Sequence, residues 1–326
     1  MIEVKNLRKQ FVIKDKVFGI EKGVVNAVNG IDFEISKGET LGLVGESGSG
    51  KSTIGRLILR LLEPTDGKVF LDGRDISTIG NREFRKLRKE LQVIFQNPYA
   101  ALDTKMIVQD ILTQPLQIHK IVNPLDYKKE VERLLEMVGL PKEDGKKLPH
   151  EFSGGQRQRI AIAKALATRP KFIVCDEAVS ALDVSVQSQI LNLLMDLQEE
   201  FGLSYLFISH DLSVIRHVSH KVAVMYLGKI VEKGMVDEIF ENPKHPYTKA
   251  LMSASPIPEP GKQLNRIKLE GEIPSAMEIP KGCAFHDRCI QKLEKCCTIE
   301  PPMIKLESGR VVACHLYMKG DEQGEK

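Results

Sequence analysis

Nine residues early in the chain have the types and spacing of a phosphate cradle: Gly45, Glu46, Ser47, Gly48, Ser49, Gly50, Lys51, Ser52 and Thr53 match the pattern GxxxxGKS/T in full. Glycines let such a loop wrap a polyphosphate and aim its backbone N–H groups inward, and the helix that follows adds the partial positive charge of its N-terminus. Lys51 is placed to reach the β- and γ-phosphates, and the Ser52 hydroxyl to ligate Mg²⁺. A second run, Phe172, Ile173, Val174, Cys175, Asp176 and Glu177, reads as an apolar strand tipped by two carboxylates. Buried charge without a partner is costly, so Asp176 is assigned to the Mg²⁺ shell and Glu177 to the attacking water as general base. Ser153, Gly154 and Gly155, followed by Gln156, stand at the start of an expected helix. Free N–H groups and a hydroxyl there make a second anion site.

The six cysteines are unevenly placed, with Cys175 alone in the first 282 residues and Cys283, Cys289, Cys296, Cys297 and Cys314 in the last 44. Cys175 lies on the acid-tipped strand and reads as a small buried hydrophobe. Cys283, Cys289, Cys296 and Cys314 are separated by 5, 6 and 17 residues. These intervals lack the CxxC knuckles of structural zinc and suit a 4Fe–4S cluster of four thiolates. Zinc helped by His286 or His315, and unligated thiols, are the other readings; Cys297 is a rival for Cys296.

The elements that must position these groups alternate in type. Strands are expected over residues 2–11, 31–35, 40–44 and 68–71, between turn signals such as Ser36, Lys37, Gly38 and Pro64, Thr65, Asp66, Gly67. Ile54, Leu57, Ile58, Leu61 and Leu62 have helical spacing, which places a helix over residues 53–62 directly after the glycine-rich loop. From about residue 103 to 149 the pattern is helical, with Val131, Leu134, Leu135 and Val138 on one face of a helix that Gly139 and Pro141 close. A helix over 155–167, a strand over 172–175, a helix over 185–201 and strands over 205–208 and 222–226 follow. Such alternation gives an α/β fold with a mostly parallel sheet and helices on its faces. After Pro243 the chain turns Pro-rich (Pro246, Pro256, Pro258, Pro260), which marks a separate C-terminal appendage, and residues 319–326 read as a disordered polar tail.

At 326 residues and 42% hydrophobic, the chain is long enough for one large domain and a smaller region. Its 47 basic and 44 acidic residues nearly balance, so nothing in the charge calls for nucleic acid. No apolar stretch approaches the roughly 18 to 20 residues of a membrane helix, and the start lacks a signal-peptide core. The expected location is the cytoplasm, where disulfides are disfavoured.

Phe152, Ser153, Gly154, Gly155 and Gln156 resemble the signature sequence of ATP-binding cassettes (ABC), whose usual first residue is Leu. That resemblance implies a phosphate-loop NTPase cassette with an antiparallel β subdomain, an inserted helical subdomain over about residues 97–152, a cassette ending near 242, and a small Cys-rich region over 243–318. In this family the signature caps the γ-phosphate held by a second subunit. Gln96 resembles the Q-loop glutamine that contacts Mg²⁺ or the water, Ser180, Ala181, Leu182 and Asp183 the D-loop, and His210 the switch histidine. Phe11 sits where the family stacks an aromatic on adenine, with Phe18 as its rival.

Signature-bearing ATPases of DNA repair carry long coiled coils or zinc modules, whereas only 56 residues lie between Gln96 and Ser153 here. A transporter is therefore the expected class. Leu59 to Thr65, Phe95 to Ala100, Val179 to Gln187 and His245 to Leu251 resemble the oligopeptide/dipeptide permease ATPases, and the extended start resembles the second, F-type ATPase of each pair. Ala178 replaces a proline common after the catalytic glutamate. The resemblance implies ATP hydrolysis coupled to import of dipeptides or oligopeptides, with nickel chelates or oligosaccharides as alternative cargo. The implied partners are a second cassette, identical or related, two membrane permeases gripped near residues 97–113, where Tyr99 and Met106 stand, and indirectly a solute-binding protein. It places the chain peripherally on the cytoplasmic face of the membrane. Gly282 to Phe285 and Asp287 to Cys289 also resemble the C-terminal segment of peptide-permease ATPases, some of which carry a 4Fe–4S cluster.

Overall fold

A computed structural model describes residues 1–15, 21–97, 101–254, 267–269, 271–272 and 274–318. Phe18, Tyr99, Pro256, Pro258, Pro260 and the 319–326 tail lie outside the described residues. The chain divides into two compact units, one drawn from residues 1–2, 35–40 and 71–209 and the other from 3–34, 41–70 and 210–326.

In the first unit the strands Leu91–Phe95, Phe172–Asp176 and Ser204–Ile208 run parallel, side by side in that order. Phe172, Ile173, Val174 and Cys175 are all buried, as expected of a strand covered on both faces. Register is the useful result: Phe95 lies opposite Asp176, so Gln96 and Glu177 leave the sheet at the same carboxyl-terminal edge. In open α/β sheets that edge is where ligands bind. The expected helical insertion is present as Val108–His119 and Tyr127–Met137, packed together and against the Gly154–Leu166 helix. Ile111, Leu112, Leu116, Val131, Leu134 and Leu135 form its core. An 18-residue helix, Val184–Phe201, ends at Gly202 in the left-handed region.

In the second unit Thr40–Val44 runs parallel to Lys221–Tyr226, with Val44 opposite Val224. Lys229–Met235 pairs antiparallel to Lys221–Tyr226, Val311–Val312 to Lys229–Met235, and Ile304–Lys305 to Val311–Val312. The helix Lys51–Ile58 buries Ile54, Leu57 and Ile58, and is shorter than the spacing suggests because the chain turns at Arg60 with φ of 49°. Strand Glu21–Ile35 begins ten residues earlier than its last apolar stretch indicates. It lies beside Ile2–Lys14, which in turn neighbours Asp66–Leu71.

The C-terminal region reads as separate in sequence, yet its end is tied into the sheet. Glu232, fully buried on Lys229–Met235, accepts the N–H groups of Lys244 and His245, each at 2.9 Å, and its Oε1 is 3.7 Å from the Arg310 guanidinium. His245 then caps the helix Pro246–Ser253: its Nδ1 accepts the Tyr247 N–H at 3.1 Å. The ring's proton is thus on Nε2, where it donates to the Ala313 carbonyl. Burial drives the His245 pKa from 6.5 down to about 3.

Because the folded state holds His245 neutral, its contribution is fully present above pH 6.5 and is lost as the pH falls toward 3. The slope approaches about 1.4 kcal/mol per pH unit in that window. Replacing His245 by Asn keeps a capping oxygen and removes the proton uptake. We expect His245→Asn to lower stability at neutral pH and to flatten its fall between about pH 6 and pH 4, measured by urea unfolding across that range. An unchanged slope would refute the assignment.

Candidate functional site

The phosphate loop, in the second unit, starts where the buried strand Thr40–Val44 ends. Gly45 has φ of 151° and Gly50 φ of 102°. A Cβ on Gly45 would meet the Met225 carbonyl oxygen at 2.3 Å, and one on Gly50 the Ala27 carbonyl oxygen at 2.1 Å. Backbone angle and space both demand glycine at these two positions. The loop is thus pressed between two main-chain segments, and the Gly228 N–H donates to the Ser49 carbonyl at 3.0 Å. Lys51 is buried, its Nζ donating to the Gly45 carbonyl at 2.7 Å and the Glu46 carbonyl at 2.9 Å. Gly50 is the N-cap of the helix Lys51–Ile58 and no side chain caps it, so the first-turn amides, with Ser52 and Thr53, keep the anion-binding geometry of a helix start. Ser47 and Gly48 are exposed at the loop's crest.

Asp176 and Glu177, in the first unit, stand at the edge that the register defines. Glu177 has φ of 53°, a left-handed conformation uncommon for a residue with a Cβ and frequent at functional sites. It is held there by its N–H donating to the Ile208 carbonyl at 2.9 Å, and by its carbonyl accepting the Ser180 N–H at 3.1 Å and the Ser180 hydroxyl at 3.0 Å. Gln96 is exposed. Cys175 is fully buried, and burial with the neighbouring Asp176 charge raises its pKa.

Ser153 caps the Gly154–Leu166 helix through a capping box: its hydroxyl accepts the Gln156 N–H at 3.3 Å and its own N–H donates to Gln156 Oε1 at 3.0 Å. Gly154 and Gly155 form the first turn. The same helix carries a residue that motif reading misses. Gln158 is fully buried, and its Nε2 donates to the Ala178 carbonyl at 2.7 Å and the Phe95 carbonyl at 3.4 Å. One amide therefore links the signature helix to the residue after Glu177 and the residue before Gln96. The sequence signal was a polar side chain on the apolar side of a helix. Asp183 is the exposed N-cap residue of Val184–Phe201.

Two expected residues belong to the second unit. Phe11 is on the Ile2–Lys14 strand, 37% exposed, with Lys9 Nζ 5.1 Å from its ring centre. His210 is exposed, just before Asp211, whose carboxylate caps the Leu212–Val218 helix. Within the 97–113 stretch, Asn97 is exposed and Met106 half-buried.

None of the six cysteines is in a disulfide. Among the described residues no group of three or more His, Cys, Asp or Glu side chains is arranged to hold a metal ion, so the arrangement alone does not bear out the cluster or zinc expected from the spacing. Of the adjacent pair, Cys296 is buried and Cys297 half-buried. Besides burial, Cys296 contributes to raising the pKa of the Cys283, Cys289 and Cys314 thiols. Burial pushes the Cys283 and Cys314 thiols up to about 11.

A loop that only glycine can form, running from a buried parallel strand into an uncapped helix, is the build of a phosphate-loop nucleoside triphosphatase. Residues 28–180 match the ABC transporter family and residues 231–296 the oligopeptide/dipeptide transporter C-terminal region. The chain is 47% identical over 320 residues to the oligopeptide transport ATP-binding protein AppF of Bacillus subtilis, covering 97% of each. It is 45% identical over 314 residues to the dipeptide transport ATP-binding protein DppF of Escherichia coli, covering 96% of this chain and 93% of that one. Among solved structures, the dimeric post-hydrolysis state of the ATP-binding cassette MJ0796 bound to ADP and Pi matches 72% of this chain and 99% of its own, with TM-score 0.64 and 27% identity. The chain belongs to the family of ABC transporter ATPases. Among the described residues no helix is long and apolar enough to cross a membrane.

The Gln158 linkage has a measurable consequence. Gln158→Leu leaves the Ala178 carbonyl without its partner in a buried place, which costs about 1–3 kcal/mol. We expect that loss in urea unfolding, together with a fall in ATP turnover larger than the fall in nucleotide affinity. Turnover and stability equal to wild type would show that the link carries no function.

Proposed function

We propose that the chain binds ATP and hydrolyses it to energise import of dipeptides or oligopeptides across a cell membrane. The observation that carries this reading is the coexistence, in one chain, of the glycine-walled phosphate loop, the acid-tipped strand and a C-terminal region of the oligopeptide/dipeptide transporter type. Backbone amides of residues 45–53 and Lys51 hold the phosphates, and Phe11 stacks on adenine. Ser52, Gln96 and Asp176 supply a hydroxyl, an amide oxygen and a carboxylate, hard oxygen donors of the kind Mg²⁺ selects. When bound, that ion would supply charge neutralisation on the phosphates. Glu177, kept in its left-handed conformation, accepts the proton of the attacking water, and His210 assists at the γ-phosphate. Ser153, Gly154, Gly155 and Gln156 of one chain cap the nucleotide of a partner cassette, with Asp183 beside that junction. The working assembly is a dimer of cassettes, of one or two kinds, gripping two permease subunits near residues 97–113 from the cytoplasmic face of the membrane. A solute-binding protein delivers the cargo.

We also propose a 4Fe–4S cluster on Cys283, Cys289, Cys296 and Cys314. Three of these sulfurs accept a backbone N–H from two residues further on: Cys283 from Phe285, Cys289 from Gln291 and Cys314 from Leu316. Such bonds favour the thiolate and are one way a protein tunes iron–sulfur centres. An iron–sulfur cube is wider than a single ion, so its ligands stand further apart than those of a mononuclear site. When bound, the cluster would staple the region by covalent ligation. Anaerobically purified protein is expected to be brown and to hold about four irons per chain. Colourless protein with one zinc or no metal would exclude the cluster and leave the ATPase reading intact.

The ATPase reading is tested by substitution. Glu177→Gln preserves size and removes the base, so ATP affinity is expected to persist while turnover drops by about 10²–10⁴-fold. Lys51→Ala is expected to weaken nucleotide binding itself. Near-normal single-turnover hydrolysis by Glu177→Gln would overturn the role given to Glu177.

A further inference from the structure

The phosphate loop is also held by the cysteine-rich region. Glu46, its second residue, has its carboxylate taken by Arg288 through two hydrogen bonds, Nη1 to Oε2 at 2.7 Å and Nη2 to Oε1 at 3.0 Å. The Glu46 N–H donates to the Tyr247 hydroxyl at 2.9 Å. Arg288 ends the single turn His286–Arg288, directly before Cys289 and after Cys283. At the start of that turn Phe285 is buried against Tyr226, Tyr247 and His245, with ring centres 5.2, 5.3 and 5.7 Å away. Tyr226 follows Met225, whose carbonyl walls Gly45. The short segment from Cys283 to Cys289 therefore touches the side chain of the loop's acidic residue directly and its amide through Tyr247.

An acid inside a polyphosphate cradle repels the ligand unless its charge is neutralised and its carboxylate is turned away. Arg288 does both. Its side chain is only 7% exposed, its guanidinium pairs with the Glu46 carboxylate, and among the described residues its buried Nε has no partner. The planar fork fixes direction as well as distance, which a lysine ammonium does not. We propose that Arg288 is a positioning residue for nucleotide binding, and that through Arg288 and Glu46 the ordering of the Cys283–Cys289 segment and the occupancy of the phosphate loop are coupled. The proposal rests on the reading that this loop binds ATP. Coupling of this kind is reciprocal: nucleotide holds the loop in its clamped shape and slows opening of the cysteine segment, and loosening that segment weakens nucleotide binding.

The experiment uses the full chain carrying Glu177→Gln, so that ATP persists. In protein stripped of iron with a chelator and resupplied with Mg²⁺, so that the thiols are unligated, maleimide alkylation of Cys283 and Cys289, mapped by mass spectrometry, is followed with and without saturating ATP, and affinity is measured with a fluorescent ATP analogue. ATP is expected to slow alkylation of both cysteines by about fivefold or more, the low end of ordinary coupling, with no change at Cys297. Arg288→Lys, which keeps the charge and loses the fork, is expected to abolish that protection and to weaken ATP affinity by a similar factor. Glu46→Gln breaks the fork from the loop side without leaving an unpaired acid there, and is expected to abolish the protection, which covers the case of an Arg288 variant that fails to fold. Protection that survives in either folded variant, or ATP that binds normally and protects neither cysteine, overturns the coupling. A parent chain that binds no ATP overturns the nucleotide reading itself, and the coupling with it.

Discussion

Two carbonyl oxygens, those of Ala27 and Met225, leave no room for a side chain on Gly50 and Gly45, and the chemistry of the phosphate loop depends on that contact. A glycine-rich loop free in solution would have many conformations, and ordering it on a ligand would cost conformational entropy residue by residue. Here that ordering is done in the folded chain. The strand Thr40–Val44, buried along its whole length, fixes where the loop begins, and the apolar face of Lys51–Ile58 fixes where it ends. Between them the walls set the curvature, so the amides are aimed before any phosphate arrives. Preorganised donors of this kind need no rearrangement at the moment of reaction.

The acid-tipped strand has a related arrangement with a different device. Glu177 is in a conformation that a residue with a Cβ avoids, and the bonds to Ile208 and Ser180 hold it there. Its side chain thereby leaves the strand line in a direction that extended backbone would not permit. Gln158 supports the next residue from the signature helix. Through that bond the Gly154–Leu166 helix is tied to Ala178, the neighbour of Glu177. Ser153 and Gln156 close their own capping box, so the helix start is pre-formed as well.

Motifs whose chemistry demands given residue types at given spacing were legible in the sequence. The phosphate loop, the strand before it, the paired acids and the capped glycine turn at 153–155 all belong to that class, because local backbone geometry and local function coincide there. What escaped was set by partners distant in sequence. Arg288 and Glu46 are 242 residues apart, and no periodicity joins them. Gln158 looked like one more polar residue in a helix rich in Arg and Gln. The strand Glu21–Ile35 was under-read because its first half, with Gly23, Asn26 and Asn29, has no clean alternation; pairing within a sheet overrides weak local preference. Sequence spacing left Cys296 and Cys297 equal, and in the fold they differ in burial, Cys296 being buried and Cys297 half-buried.

The C-terminal region shows how a segment poor in apolar residues becomes ordered. Its main attachment is polar: Glu232 has two main-chain N–H groups and the Arg310 guanidinium around a fully buried carboxylate. A buried carboxylate is tolerated only when nearly every lone pair is engaged, so the position of residues 244 and 245 is tightly specified. From there His245 starts a helix, Pro246 suits its first turn, and Tyr247 reaches the Glu46 amide. The His–Pro–Tyr run, which the sequence offers only as a resemblance, thus has a physical content: anchor, helix start and contact with the phosphate loop in three consecutive residues. Ordering of the C-terminal region and the shape of the phosphate loop are for that reason consequences of one packing arrangement within the second unit. Any explanation of the cysteines has to include what they hold in place beside the loop as well as what they bind.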